Sequence, residues 1–221
     1  MLSLRTLLDY DSHQALEHIH YVVTTARRVK GYRLSPRTRH QGGVHVPSAH
    51  HPVRGSKQDV RGHSFDFTAS YDAKNLYVSV DVEDDLLCAA TEAITGWWQR
   101  ADNLAVFLDG RAPGRLGRQE GGPGVMNFKV SPPADPDAEP QVSARGSQVK
   151  AKLARSGVGY RVDCAVPWKA FSLAEGRPSV IGFDVALSSY DEKGENGLQL
   201  SWTGRSGQDR NPARFGRLLL V

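Results

Sequence analysis

Histidine runs out early in this chain of 221 residues. His13, His18, His20, His40, His45, His50, His51 and His63 are all eight of them, and none follows. The remaining stretch therefore offers no imidazole for a Ser-His-Asp triad or for ligating a haem iron. Met126 is the only methionine there, so a haem is not expected. Cysteine is scarcer still: Cys88 and Cys164 permit one disulfide but no disulfide framework, and no CxxC pair exists for zinc or redox work. The expectation is two free thiols packed as small hydrophobes. No apolar run is long enough to span a bilayer, so no membrane partner is expected. The net charge of +4 forms no basic stripe: Arg27, Arg28 and Lys30 sit together, as do Arg33, Arg37 and Arg39, and elsewhere acids intervene. That argues against nucleic acid as a partner. The Gly- and Arg-rich stretch 110–124 lacks the Lys-Ser/Thr ending of a phosphate loop, so no nucleotide is expected. The early histidines match no zinc spacing and are expected to be exposed on an N-terminal extension.

Glycine and proline, 22 and 12 in number, cluster between apolar stretches, as in a fold of many strands and turns. Residues 1–43 read as an extension. Within it 11–30 fits an amphipathic helix capped by Asp11 or Ser12, with Leu16, Ile19, Val23 and Ala26 along one stripe. The β-branched run Val22-Val23-Thr24-Thr25 pulls the other way. Residues 31–63 are polar and aperiodic, a linker or an edge segment. From Ser64 the character changes. Phe65, Phe67, Ala69 and Tyr71 alternate with polar residues, Asp72-Ala73-Lys74-Asn75 supplies turn chemistry, and Leu76, Val78, Val80 and Val82 alternate again. This predicts a hairpin. Further strands are expected at 103–109, 126–131, 148–154, 159–165, 180–189, 198–202 and 215–221. Long helical periodicity is missing here, which excludes parallel βαβ architecture. The fold class expected over residues 44–221 is all-β: one antiparallel β-sandwich of jelly-roll or immunoglobulin-like form, after an N-terminal extension that is partly helical.

Several segments, taken in order, resemble the family 9 carbohydrate-binding modules found attached to xylanases, within a superfamily that also holds DOMON-like sandwiches. Ala69-Ser70-Tyr71-Asp72 through Leu76-Tyr77-Val78 to Val82-Glu83-Asp84 is similar to the family's hairpin. Trp98-Gln99-Arg100-Ala101-Asp102-Asn103 through Phe107-Leu108-Asp109 is similar to its next strand, with one insertion. Gly159-Tyr160-Arg161-Val162-Asp163-Cys164-Ala165-Val166-Pro167-Trp168, Ile181-Gly182-Phe183-Asp184, Ser201-Trp202 and Pro212-Ala213-Arg214-Phe215-Gly216 complete the likeness. The family's opening Asp-Gly and Trp have no counterpart in residues 1–63.

The resemblance implies non-catalytic binding of a poly- or oligosaccharide of β-glucan or xylan type, by a monomeric accessory module at a cell surface or outside the cell. The stretch Met1-Leu2-Ser3-Leu4-Arg5 onward is a poor signal peptide. In that family two tryptophans sandwich the terminal sugars, with a Glu, an Arg and amides bonding hydroxyls. The first platform falls on Trp98, or on Trp97 if the insertion lies after it. The Arg falls on Lys129, which keeps the charge and loses the planar fork. The Glu falls on Ala105, a Gln on Ala186, and the second tryptophan near Asp209. Trp168 and Trp202 fall in framework motifs and are expected in the core. The resemblance also implies a structural calcium, for which Asp84, Asp85, Asp102 and Asp109 offer hard oxygen ligands at strand ends. Catalysis is not expected: among Asp81, Glu83 and Asp184 nothing marks the facing pair that glycoside hydrolysis needs. The alternative left open is a structural or protein-interaction sandwich without the sugar site.

Overall fold

The computed structural model describes residues 63–89, 101–111, 116, 121–143, 148–171, 178–190, 197–204 and 207–221, and the backbone of three earlier strands. Those three are β1 (Val23–Arg28), β2 (Val44–Pro47) and β3 (Pro52–Arg54). The rest follow as β4 (Ser64–Tyr71), β5 (Asn75–Glu83), β6 (Asn103–Asp109), β7 (Val125–Ser131), β8 (Gln141–Val142), β9 (Lys150–Ser156), β10 (Gly159–Pro167), β11 (Val180–Tyr190), β12 (Gly197–Ser201) and β13 (Gly216–Leu220). Every strand expected from Ser64 onward is present, with ends moved by a residue or two.

Two sheets result. In the back sheet β9, β10, β5 and β4 run antiparallel in that order, and β2 adds to β4. In the front sheet β8, β7, β6 and β11 run antiparallel. The free edge of β11 is then shared. Val180 to Phe183 pair with β13, and Ala186 to Tyr190 pair with β12, which carries β3 on its outer side. Period-two alternation sends one face of each sheet to a single core. Phe65, Phe67, Leu76, Val78, Val80 and Val82 come from the back sheet, and Leu104, Val106, Leu108, Phe128, Phe183, Val185 and Leu187 from the front. Trp202, 2% exposed, closes this core against Phe67 and Phe183 at ring-centroid distances of 5.4 and 5.9 Å. Trp168 is only half-buried. It packs on Tyr71 and Phe171 and donates its indole N–H to the Asp72 carbonyl. The β4–β5 turn forms as expected because Asp72 Oδ1 accepts the Lys74 and Asn75 N–H groups, each at 2.7 Å. Cys88 and Cys164 are buried free thiols.

The helix expected over 11–30 is corrected where it can be seen. Val23–Arg28 is a strand that pairs parallel with β13 through residues 23–26 and with β4 through Arg27 and Arg28, bridging the two sheets. The β-branched Val23, Thr24 and Thr25 prefer a pleated chain, and the open edges of β13 and β4 supply ladder partners that an isolated helix would not have. Residues 11–22 lie outside the described residues.

Gly159 opens β10 at φ +146°, where a Cβ would collide with the Val82 carbonyl oxygen. Gly159→Ala is expected to destabilise the domain by about 2–4 kcal/mol, read as a lower midpoint in urea unfolding. A midpoint unchanged from wild type would show that the β5–β10 pairing can shift to make room.

Candidate functional site

The face of the front sheet that points away from the core is where the sequence-implied sugar contacts meet. On β7, β6 and β11 the outward residues include Lys129, Ala105 and Ala186, and strand pairing sets Lys129 opposite Ala105 and Ala105 opposite Ala186. They form one row across three neighbouring strands, spanning about 10 Å at the usual strand spacing. The next row is Asn127, Phe107 and Asp184. Ala105, Phe107, Ala186 and Phe215 make a small apolar cluster separate from the main core, with Phe107 and Phe215 ring centroids 5.7 Å apart. The result is a buried apolar floor with polar groups around it.

One side of that floor is held by the chain after β12. Asp184 is fully buried and accepts four hydrogen bonds: from its neighbour Val185 N–H at 2.8 Å, Thr203 N–H at 3.3 Å, Thr203 Oγ1 at 2.6 Å and Gln208 Nε2 at 3.2 Å. Burial pushes its carboxyl up to about 7 even though those bonds pull the other way. Beyond Gln208, Asn211 caps a 3-10 turn at Pro212–Arg214 by accepting the Ala213 N–H. Burial lowers the Lys129 ammonium from its ordinary range, and the carboxylate of Asp209 opposes that shift. The position implied for the second tryptophan is thus occupied by an acid acting on the position implied for the arginine. Trp97 and Trp98 lie outside the described residues.

A second group of sequence-implied residues collects at one end of the sandwich. His63, Asp84 and Asp85 come together there, with ligand atoms within 4.8 Å of one another, and the charge of Asp84 reaches Asp102. Asp109 is not among them: it sits at the opposite end of β6, bound by Arg111 through Nε at 2.8 Å and Nη2 at 2.7 Å. Asp102 is buried and accepts N–H bonds from Cys88 at 2.7 Å and Tyr190 at 2.8 Å. Its carboxyl is pushed up to about 8, first by burial and then by the charge of Asp84. Asp84 Oδ2 and the Tyr160 hydroxyl are buried without a hydrogen-bond partner.

His63 belongs to this group and was missed. Its Nδ1 lies 3.4 Å from Asp84 Oδ1 and its Nε2 lies 4.0 Å from Asp85 Oδ1, with a side chain only 14% exposed. Contact with Asp84 raises its pKa against the opposing effect of burial. The expectation of an exposed histidine is corrected here. The signal was in the hairpin: Ser64 pairs with Glu83, which sets His63 opposite Asp84.

Two antiparallel sheets, one with a polar-rimmed apolar cluster on its outer face, define a β-sandwich with a candidate binding face. This chain belongs to the carbohydrate family 9 binding domain-like family, which matches residues 45–221 and whose members bind carbohydrate without catalysis. It is similar to an endo-1,4-beta-xylanase A of Thermotoga neapolitana, 28% identical over 162 residues, covering 68% of this chain and 13% of that protein. It is similar also to the exoglucanase XynX of Acetivibrio thermocellus, 28% identical over 152 residues, with the same two coverages. The chain therefore spans about 13% of the length of these relatives. Among solved structures it resembles a family 9 module from Caldicellulosiruptor kristjanssonii in complex with glucose, at TM-score 0.67 and 16% identity over 90% of this chain and 96% of that one. The same module in complex with cellotriose matches at TM-score 0.65 and 16% identity, over 90% and 93%.

Because the folded value of Asp184 lies above the ordinary carboxylate range, the stability it contributes is complete in acid and is lost as pH rises through about 7. Wild-type Tm is expected to fall between about pH 4 and about pH 7. The slope is expected to be shallower in Asp184→Asn, whose amide can still meet Thr203 and Gln208, since hydroxyl and carboxamide can each either donate or accept. Equal slopes in the two proteins would remove Asp184 as a cause.

Proposed function

We propose that this chain holds a β-glucan or xylan-type polysaccharide on the outer face of the front sheet, as an accessory module in carbohydrate breakdown or at a cell surface. The observation that carries this is the row Lys129–Ala105–Ala186: three positions distant in sequence, each marked by the resemblance, are direct neighbours on one face. The ligands of the similar solved modules and the xylan- and glucan-degrading activities of the similar enzymes support the same ligand class. Trp98, with Trp97 beside it, supplies the flat apolar surface for a pyranose ring. Lys129 donates to hydroxyls. Alanine at 105 and 186 removes two hydroxyl contacts, so binding is weaker and less selective for ring orientation than with a full set.

The test is retention on insoluble cellulose and xylan. Wild type is expected to be retained on at least one. Trp98→Ala is expected to lose about fivefold or more, the equivalent of a stacking contact worth about 1 kcal/mol, and Lys129→Ala a similar factor. Folded protein that is retained by no polysaccharide would overturn the proposal and favour a protein-interaction sandwich.

The same reading includes a structural calcium at the end where Asp84 and Asp85 meet beside His63. The donor set fits, since calcium takes carboxylate oxygens, and the buried, unpartnered Asp84 Oδ2 is an acceptor that lacks a cation or a donor. Excess calcium is expected to raise Tm by a few degrees relative to chelator, through preferential binding to the folded state. Asp84→Asn is expected to abolish that rise. Identical melting with calcium and with chelator would remove the metal from the reading.

A further inference from the structure

The back sheet carries a cavity of its own. Across β4, β5, β10 and β9 the strand register places Asp66, Asp81, Arg161 and Ala154 side by side, facing away from the core. One step along the strands, Ser64, Glu83, Gly159 and Ser156 form a parallel row. These rows contribute to the walls of a cavity of about 390 Å³, within the range of small-molecule sites, about 300–1,000 Å³. Alanine, serine and glycine on the β9–β10 side leave the space, and the acids and Arg161 supply the polarity.

Arg161 is the feature that points to a ligand. It is 5% exposed and lines the cavity. Its Nη1 donates to both carboxylate oxygens of Asp81, at 3.2 and 2.9 Å, and its Nε donates to Asp163 Oδ1 at 3.3 Å. Two acids thus fix the plane of the guanidinium. Its Nη2 is buried with no hydrogen-bond partner, and so is Asp163 Oδ2. A buried charged donor left unsatisfied is costly. That unmet donor is what a site for a ligand looks like before it is filled.

The partner's chemistry follows from the lining. Carboxylates accept and the guanidinium donates, within one small space, and a hydroxyl group does both. Three acids, Asp66, Asp81 and Glu83, against two arginines, Arg155 and Arg161, leave the lining slightly negative, which disfavours uronates and other anions. No tryptophan or phenylalanine lines the cavity among the described residues. Its grip is therefore through hydrogen bonds rather than stacking. We infer that the cavity bounded by Asp66, Asp81, Glu83, Ser156 and Arg161 is a second saccharide site, taking one neutral sugar unit on the face opposite the first. The inference rests on the proposed function for its ligand class alone. Two sites on opposite faces let one module hold two segments of polysaccharide and gain avidity.

The test is a titration of ¹⁵N-labelled full-length chain with cellotriose and with xylotriose. Amide shifts are expected in two groups, one on β6, β7 and β11 and one at Asp66, Asp81, Ser156 and Arg161. The second group is expected to persist in Lys129→Ala. Arg161→Lys, which keeps the charge and loses the fork, is expected to weaken it about tenfold. Ala154→Leu, on the edge strand, fills the cavity and should abolish it in a protein whose Tm is unchanged. Shifts confined to the front sheet would overturn the second site and leave the proposed function standing. Shifts confined to the back sheet would uphold the second site and overturn the first. Shifts on neither face would overturn both, and back-sheet shifts indifferent to both variants would overturn the cavity assignment.

Discussion

The pairing of β6 with β11, from Gly182 opposite Asp109 to Ser188 opposite Asn103, is the contact on which the rest depends. It sets Leu104, Val106 and Leu108 beside Phe183, Val185 and Leu187 on the inner face, where they close over the back sheet. The same register sets Ala105 beside Ala186, and Phe107 beside Asp184, on the outer face. A slip of one residue would turn both sets over, burying the polar face and exposing the core. Core and proposed binding face are thus two sides of one hydrogen-bond ladder.

The fold buries several carboxyl groups, and it treats them differently. Asp109 is matched by the guanidinium of Arg111, so its charge is answered locally. Asp184 meets only neutral donors, which is why burial dominates and the group holds its proton to about 7. Asp102 has neutral N–H donors and an acid nearby, and its carboxyl sits higher still. Asp163 shares Arg161 with Asp81, and the guanidinium Nη2 and Asp163 Oδ2 are left without a hydrogen-bond partner. Burying charge is tolerable where a partner comes with it. The places where the match is incomplete are the two proposed ligand sites away from the front face.

Much of the fold was legible because alternation is a local property. Phe65, Phe67, Val78, Val80 and Val82 announce their strands within a few residues of chain. The Asp72 turn could likewise be read locally. The extension was not legible in the same way. Val23 to Arg28 carry both a helical stripe and a β-branched run, and the choice between them was made by the edges of β13 and β4, far along the chain. His63 was missed for a related reason: alone it is one histidine among eight, and only its hairpin register sets it against Asp84.

The sequence by itself determined a two-sheet β protein of the family 9 type, because residue alternation and turn chemistry act over short distances. Its resemblance to that family also implied positions for sugar contacts, and a metal group of Asp84, Asp85, Asp102 and Asp109. Only the tertiary structure decided which of these meet. It brought Lys129, Ala105 and Ala186 into one row, sent Asp109 to Arg111 at the far end of its strand, and laid Asp66, Asp81 and Arg161 beside one another on the back sheet. Strand pairing joins residues eighty positions apart, and no local pattern in a single chain records which edge will meet which.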